Sequence, residues 1–314
     1  MISVENKLLG NMEEAHEWLK KETQTRARIF GRANTRTQLA FKQLDEMQLK
    51  LGMKCGNSAI TEEEMNLSCS AIKEEMIRWD LDPFDQPDQW LMESMMWEFR
   101  QLALTSEFKI ADSNLSEFLL GVRQGYHDNP FHNFKHAWSV AHCAYLIMKE
   151  TKAGRILTKL EQLCVMITCL CHDLDHPGVN SDFLIKSASP LALEFTVPSV
   201  LEHMHFRRTE ELLRESYSTN ILQNCNEATR KLAFELIYDG IMATDMQNHK
   251  TIVAELDRRA ELIESNSEAF DANSSEDRRH LLKGIIHAAD LSAQGLVTKI
   301  AHKFGARVLA EFHN

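Results

Sequence analysis

Apolar residues recur at intervals of three and four positions along most of this chain, which is the spacing that predicts amphipathic helices. The clearest segments of this kind span residues 134–150, 156–173, 208–215, 228–243, 250–263, 278–291 and 295–312. The sequence has no internal repeat, and no alternation of apolar and polar residues is long enough to predict a β-strand. The pattern therefore predicts an all-α fold with ten or more helices.

Polar residues interrupt this pattern where helices are expected to begin or to be joined by loops. Thr61-Glu-Glu-Glu64 has the pattern of a capping box, and Asn114-Leu-Ser-Glu117 that of an N-terminal cap for a helix running to about Gly125. The acidic stretch Trp79–Asp88, which contains two prolines, and the polar stretch Glu264–Asp277 are predicted to be surface loops.

The first 60 residues differ from the rest because they are highly charged and only weakly periodic. Leu8, Met12, Ala15 and Leu19 recur at helical spacing, but the repeat is too short and irregular to predict a coiled coil. We therefore predict a helical N-terminal arm or linker over residues 1–60 and a separate domain over residues 61–314. The more specific alternative to a solvated arm is a homodimer, which would form through this arm or through the domain.

Composition supports this picture and excludes several classes of protein. Glycine (12 residues) and proline (6) make up about 6% of the 314 residues, roughly half of the usual share, and 44% of residues are hydrophobic. The net charge of −11 argues against a nucleic-acid partner. No apolar run approaches the roughly 20 residues of a membrane-spanning helix, and the seven cysteines have no disulfide-framework spacing. A reduced, cytoplasmic protein is predicted.

Histidines and acidic residues cluster in three places. The clusters are His132 with His136, His172 with Asp173 and His176, and His287 with Asp290. A spacing of four residues puts two histidines on one face of a helix, and imidazole nitrogen with carboxylate oxygen suits Zn²⁺ with Mg²⁺ or Mn²⁺ beside it. Packing explains most single histidines, but the set predicts a divalent metal site.

Five segments in a fixed order resemble the catalytic domain of class I 3′,5′-cyclic nucleotide phosphodiesterases, a branch of the His-Asp metal phosphohydrolases. These segments are Tyr126–Ala137, His172–Val179, Ser199–His205, Ala243–Met246 and His287–Ser292. Five ordered segments from about residue 76 onward are more specific than any one motif. The resemblance implies a compact multi-helix catalytic domain with a dinuclear metal site within residues 61–314.

The resemblance also implies an activity and a role for individual residues. The activity is metal-dependent hydrolysis of cAMP, cGMP or both to 5′-nucleoside monophosphates in signal transduction. A hydroxide activated by two metal ions would attack phosphorus, with His132 as the general acid. The implied metal ligands are His136, His172, Asp173 and Asp290, with Zn²⁺ at the first site and Mg²⁺ or Mn²⁺ at the second. The residues matching positions that orient ligands and waters are His176, Glu202, Thr244 and Asp245, and Glu202 is the implied partner of His132.

The chain departs from the family pattern in several places. His203-Met204-His205 stands where the family has Asn-His-His, so neither histidine is given a role, and Asn180-Ser181-Asp182 leaves the family's water-orienting asparagine unmatched. The family's helices after the segment Phe304–Phe312, which supply a glutamine and a phenylalanine that hold the purine, are missing from these 314 residues. The alternative implied by this departure is a catalytically impaired or regulatory metal-binding relative without the nucleotide clamp.

Overall fold

The computed structural model describes residues 77–264 and 269–313, and the regular elements within these ranges are all helical. The α-helices are α1 (Asp88–Gln101), α2 (Leu104–Glu107), α3 (Asp112–Gly125), α4 (Phe134–Glu150), α5 (Ala153–Ile156), α6 (Lys159–Cys171), α7 (Ser181–Lys186), α8 (Pro190–Glu194), α9 (Val200–Glu215), α10 (Glu227–Met242), α11 (His249–Glu264), α12 (Ser275–Asp290) and α13 (Thr298–Phe312). Short 3-10 helices span Pro83–Asp85, Met246–Asn248 and Leu291–Gln294. The predicted all-α class is confirmed.

Helices α4 and α6 form the centre of the fold. They pack against each other, α12 packs on both of them, α10 packs on α6, and α1 packs on α4. Every residue of α6 from Glu161 onward is buried, and a capping box between Thr158 and Glu161 begins the helix. The thiols of Cys164 and Cys171 lie fully buried on α6, where burial raises their pKa. These two rigid helices carry the histidine clusters at their ends.

The start of α9 is the largest difference from the predicted helices. The apolar pattern predicts a helix from residue 208, but α9 begins at Val200. Val200, Leu201 and Met204 are buried on this first part of the helix, while Glu202 is interleaved with them. Inward-facing polar residues such as Glu202 interrupt the apolar pattern, so the sequence does not show that this part of the chain is helical.

Asn114 does not cap α3, so this prediction is wrong. The helix begins two residues earlier, at Asp112, with Ala111 in the capping position. The Asn114 amide instead donates hydrogen bonds to the carbonyl oxygens of Tyr217 (2.9 Å) and Ser218 (3.0 Å). A contact more than a hundred positions away along the chain decides what this side chain does.

The stretch Trp79–Asp88 is more than a surface loop. It contains the 3-10 helix Pro83–Asp85, and the Phe84 ring packs edge-on against Phe304 of α13, with the ring centroids 4.8 Å apart. Lys303 of the same helix forms ion pairs with Asp82 (2.5 Å) and Asp85 (2.8 Å). The predicted surface loop is therefore fixed on α13 by two apolar rings and three charges.

The predicted N-terminal arm, residues 1–60, and the predicted capping box at Thr61 lie outside the described residues, so both stay predictions. The chain divides by its internal contacts between Met76 and Ile77, and all described residues belong to the second unit. Residue 61 as the first residue of the domain likewise stays a prediction.

Candidate active site

The first two predicted ligands face each other across the central pair of helices. His136 lies in the first turn of α4, where the Asn133 side chain accepts hydrogen bonds from the backbone N–H groups of Lys135 (2.9 Å) and His136 (3.3 Å). His172 directly follows α6, and its Nδ1 donates to the carbonyl oxygen of Cys169 (3.0 Å). Its Nε2 therefore points to the Nε2 of His136, 3.2 Å away.

Two carboxylates complete this cluster. The Oδ1 of Asp290, at the end of α12, lies 3.1 Å from the Nε2 atoms of both His136 and His172. The Oδ2 of Asp173 lies 3.1 Å from Nε2 of His172 and 3.5 Å from Nε2 of His136. Burial lowers the pKa of His172, but the facing carboxylates raise it well above its ordinary value.

The spacing within this cluster fits a divalent cation. Ligand atoms held at ~2.1 Å from one ion lie about 3.0 Å apart in octahedral geometry and about 3.4 Å apart in tetrahedral geometry. The distances from the His136 and His172 Nε2 atoms to each other and to the two carboxylate oxygens run from 3.1 to 3.5 Å. Buried carboxylates in such a group need a compensating positive charge, which a divalent ion supplies.

A second cation fits the other oxygen of Asp173. His205 of α9 places its Nε2 3.5 Å from Asp173 Oδ1, while its Nδ1 donates to the carbonyl oxygen of Leu174 (2.7 Å). Burial lowers the pKa of His205 to about 4, so the ring is neutral and Nε2 presents a lone pair to a carboxylate. His176 lies in the same group. Two facing acceptors with no proton between them suit a cation at this position.

His203, the other histidine of this segment, has different partners. Its Nδ1 lies 2.8 Å from the carbonyl oxygen of Ser199, one turn earlier in the chain, and its Nε2 lies 3.3 Å from the hydroxyl oxygen of Tyr238. Of the two histidines in this segment, His205 is the one that joins the cluster around Asp173.

Glu202 is partly buried close to this group of acids. Burial, together with the charges of Asp245, Asp173 and Asp290, raises its pKa to about 7. Its Oε2 is buried without a hydrogen-bond partner. An unpartnered buried carboxylate oxygen beside other acids is a further sign that the donor set is complete only with cations.

Asp245 and Thr244 hold the turn between α10 and the 3-10 helix Met246–Asn248. Asp245 accepts hydrogen bonds from the Ser199 hydroxyl (2.5 Å) and from the backbone N–H of Gln247 (2.8 Å). The Thr244 hydroxyl donates to the carbonyl oxygen of Ile241 (2.8 Å). Asp245 therefore ties this turn to the start of α9, which carries Glu202.

His132 forms its ion pair with Glu311, so the predicted pairing with Glu202 is wrong. Its Nδ1 bonds to Glu311 Oε1, and Glu311 Oε2 accepts from the backbone N–H groups of Phe131 (2.8 Å) and His132 (3.0 Å). Burial opposes the charge on Glu311, but the hydrogen bond and charge of His132 lower its pKa to about 2. The carboxylate stays ionised and places a negative charge against the His132 ring.

Sequence reasoning missed Glu311, although a signal was present. Ile300, Phe304 and Glu311 are all buried on α13, and offsets of four and eleven residues put all three on one face of a helix. An acidic residue on the apolar face of a predicted helix needs a buried partner. That pattern pointed to a functional carboxylate within residues 295–312.

The model of the 3′,5′-cyclic nucleotide phosphodiesterase family matches residues 131–314, which is more than half of the chain. This match contains the whole cluster described above. The chain belongs to the 3′,5′-cyclic nucleotide phosphodiesterase family. Family membership and the His/Asp cluster together indicate binding of divalent metal.

Relatives of this phosphodiesterase-family chain include the 3′,5′-cyclic-nucleotide phosphodiesterase regA of Dictyostelium discoideum, 33% identical over 241 residues that cover 76% of this chain and 30% of the relative. The cGMP-specific 3′,5′-cyclic phosphodiesterase of Drosophila melanogaster is 31% identical over 229 residues, 73% of this chain and 20% of the relative. This chain thus spans less than a third of the length of either relative.

Solved structures agree with the fold. The phosphodiesterase domain of the RhoPDE fusion protein from the choanoflagellate Salpingoeca rosetta has a TM-score of 0.71 and 31% sequence identity, and the match covers 79% of this chain and 76% of that one. None of the helices in the described part of this phosphodiesterase-family chain has the length and apolar character needed to cross a membrane.

Proposed function

We propose that this chain hydrolyses the phosphodiester of 3′,5′-cyclic nucleotides and releases 5′-nucleoside monophosphates. The observation that carries the proposal is the His132–Glu311 ion pair near the cluster of His136, His172 and the two aspartates. Glu311 contacts Nδ1 of the His132 ring and places a negative charge beside it. As the general acid, His132 would give a proton to the departing O3′ of the ribose, which is a strongly basic leaving group.

The proposed ligands of the first ion, Zn²⁺, are His136, His172, Asp173 and Asp290. Asp173 would also offer its Oδ1 to a second ion, Mg²⁺ or Mn²⁺. Divalent ions bound there supply Lewis acidity, which lowers the pKa of water and neutralises charge on phosphoryl oxygens. The residues proposed to orient ligands and water around them are His176, Glu202, Thr244 and Asp245.

The family supports the proposed substrate class, and the free thiols support the proposed location in the cell. The relatives carry names that include both 3′,5′-cyclic-nucleotide and cGMP-specific phosphodiesterase, so cAMP and cGMP are both candidate substrates in a signalling role. Buried free cysteines such as Cys143 and Cys169 suit a reducing compartment, and we keep the cytoplasm as the proposed location. A homodimer, through the N-terminal arm or through the domain, remains a proposal as well.

The direct test measures turnover by the purified chain with Zn²⁺ and Mg²⁺. Cyclic AMP and cyclic GMP are supplied separately, and the 5′-monophosphates are separated by chromatography. We expect hydrolysis of at least one substrate and loss of that hydrolysis after chelation. If protein that binds both ions hydrolyses neither substrate, the proposal is wrong for this chain, and a regulatory role takes its place.

The role of His132 has a sharper test in Glu311→Gln. The amide oxygen still accepts from the backbone N–H groups, but the neutral side chain no longer places a negative charge beside the general acid His132. We expect kcat to fall about 10- to 100-fold, a part of the roughly 10²- to 10⁴-fold that general acids contribute, with metal content unchanged. The matched control is Glu276→Gln, an exposed residue of α12. Wild-type kcat in Glu311→Gln would contradict the general-acid assignment.

A further inference from the structure

The rings of His132 and His176 stack although they come from different loops. Their centroids are 3.8 Å apart and their planes are inclined by only 15°. His132 precedes α4, and His176 lies in the loop between α6 and α7. A stack this close requires that the two loops keep a fixed distance from each other.

The Asn129 side chain joins the backbones of these two histidines. Its Nδ2 donates to the carbonyl oxygen of His132 (3.1 Å) and to that of His176 (2.7 Å). Both donors of one amide group are therefore used. The backbone carbonyl of Asn129 accepts from the Asn133 side chain (2.8 Å), the same residue that caps α4.

Gly178 leaves room for this amide. Its φ of +77° is in the left-handed region, and a Cβ at this position would lie 3.2 Å from Asn129 Oδ1. Its backbone N–H also donates to Nδ1 of His176 (3.0 Å). Asn129 thus fits closely into a loop whose backbone sets the tautomer of His176.

His132 is held on both sides of its backbone. The Glu311 carboxylate accepts from the backbone N–H of His132 and hydrogen-bonds to its Nδ1. The Asn129 side chain donates to the carbonyl oxygen of His132. The ring has little freedom, and only Nε2 is left to act on a substrate.

We propose that Asn129 is a positioning residue, which fixes the His132 ring against His176 and so sets where the general acid holds its proton. This inference rests on the proposed hydrolysis of cyclic nucleotides. A displaced acid protonates O3′ poorly, and errors of about 1 Å in the position of a catalytic group cost up to ~100-fold in rate. A diester with a weakly basic leaving group, such as a nitrophenolate, needs this proton far less.

The test compares Asn129→Ala, which removes the amide, with Asn129→Asp, which keeps the shape of the side chain and exchanges the amide donors for a carboxylate. For both variants we expect a 10- to 100-fold lower kcat on the cyclic nucleotide, a KM within about twofold of wild type, and a much smaller loss on bis(p-nitrophenyl) phosphate. The metal content should stay at the wild-type level. In ¹³C-histidine-labelled protein, the His132 ring resonance should shift as the stack on His176 loosens.

The matched control is Asn114→Ala, because the Asn114 amide also donates to two backbone carbonyls but contacts the loop after α9. It should leave kcat on both diesters and the His132 resonance unchanged. Equal losses on both diesters, or wild-type kcat in Asn129→Ala, would overturn the proposal. If the wild-type chain hydrolyses neither diester, the proposed function fails, and the His132 resonance still decides whether Asn129 holds the stack: an unmoved resonance refutes it.

Discussion

The acidic residues at the predicted metal site differ in pKa because their neighbours differ. Burial raises the pKa of Asp173 and Asp290, but the facing histidines hold both well below the ordinary value. Glu202 is buried too, but the other acids near it raise its pKa further, to about 7. Without metal, Glu202 therefore carries a proton at weakly acidic pH. Because the charged form of Glu202 is disfavoured at this position, a cation bound nearby should lower its pKa.

Metal binding should release the Glu202 proton. Between pH 4.5, the ordinary value, and about 7 the folded metal-free chain binds more protons than the unfolded one at this group. The free energy of unfolding from this group falls as pH rises through that window. At pH 6, we expect metal binding to release about one proton fewer from Glu202→Gln than from wild type. At pH 9, metal binding should release the same number of protons from both. Calorimetry in buffers of different ionisation enthalpy measures this, and equal release at pH 6 would contradict it.

At the scale of elements, α13 is held by the stretch just before α1. Phe84 packs on Phe304, and the Arg307 guanidinium lies over the Phe84 ring, 3.9 Å from its centroid. Lys303 adds ion pairs to Asp82 and Asp85. Since α13 also carries Glu311, this contact supports the helix that presents the partner of His132.

The apolar part of this contact should matter more than its charges. Phe84 is partly buried, so Phe84→Ala removes apolar contact worth about 1–3 kcal/mol, whereas partly exposed ion pairs contribute about 0–1 kcal/mol. We expect Phe84→Ala to lower the free energy of unfolding by about 2 kcal/mol and Lys303→Met to lower it by clearly less. Urea unfolding followed by circular dichroism measures both. A larger loss in Lys303→Met than in Phe84→Ala would reverse this ranking of the two contacts.

The sequence predicts helices where local periodicity is strong and misses what distant contacts decide. Residues 134–150 coincide with α4 because nearly all of that helix faces the core. The sequence predicts Asn114 as a cap and Glu202 as the partner of His132, because a local motif does not show that Ser218 or Glu311 lies nearby. The structure brings the predicted ligands His136, His172, Asp173 and Asp290 together as their motifs imply. Their partners come from other helices, and only the fold reveals them.

At the scale of the whole molecule, the predicted ligands of the first ion join three helices that are far apart along the chain. His136 begins α4, His172 and Asp173 follow α6, and Asp290 ends α12. These helices also pack against one another at the centre of the fold. A cation bound there links the core directly, and since the unfolded chain holds no such site, its binding free energy adds to the stability of the whole unit.

Removing the metal should therefore lower the melting temperature of the entire described unit. An ion at about 1,000 times its Kd stabilises the folded state by about 4 kcal/mol, which corresponds to about 8–16 °C for a unit of this size. We expect a chelator to produce a shift of this order in calorimetry of the full chain.

Asp290→Ala should melt at one temperature with or without chelator, because a ligand is lost. His132→Ala should keep the full shift, because His132 hydrogen-bonds to Glu311 and lies outside the predicted ligand set. A chelator shift in Asp290→Ala as large as that of wild type would show that the stabilising ion binds elsewhere.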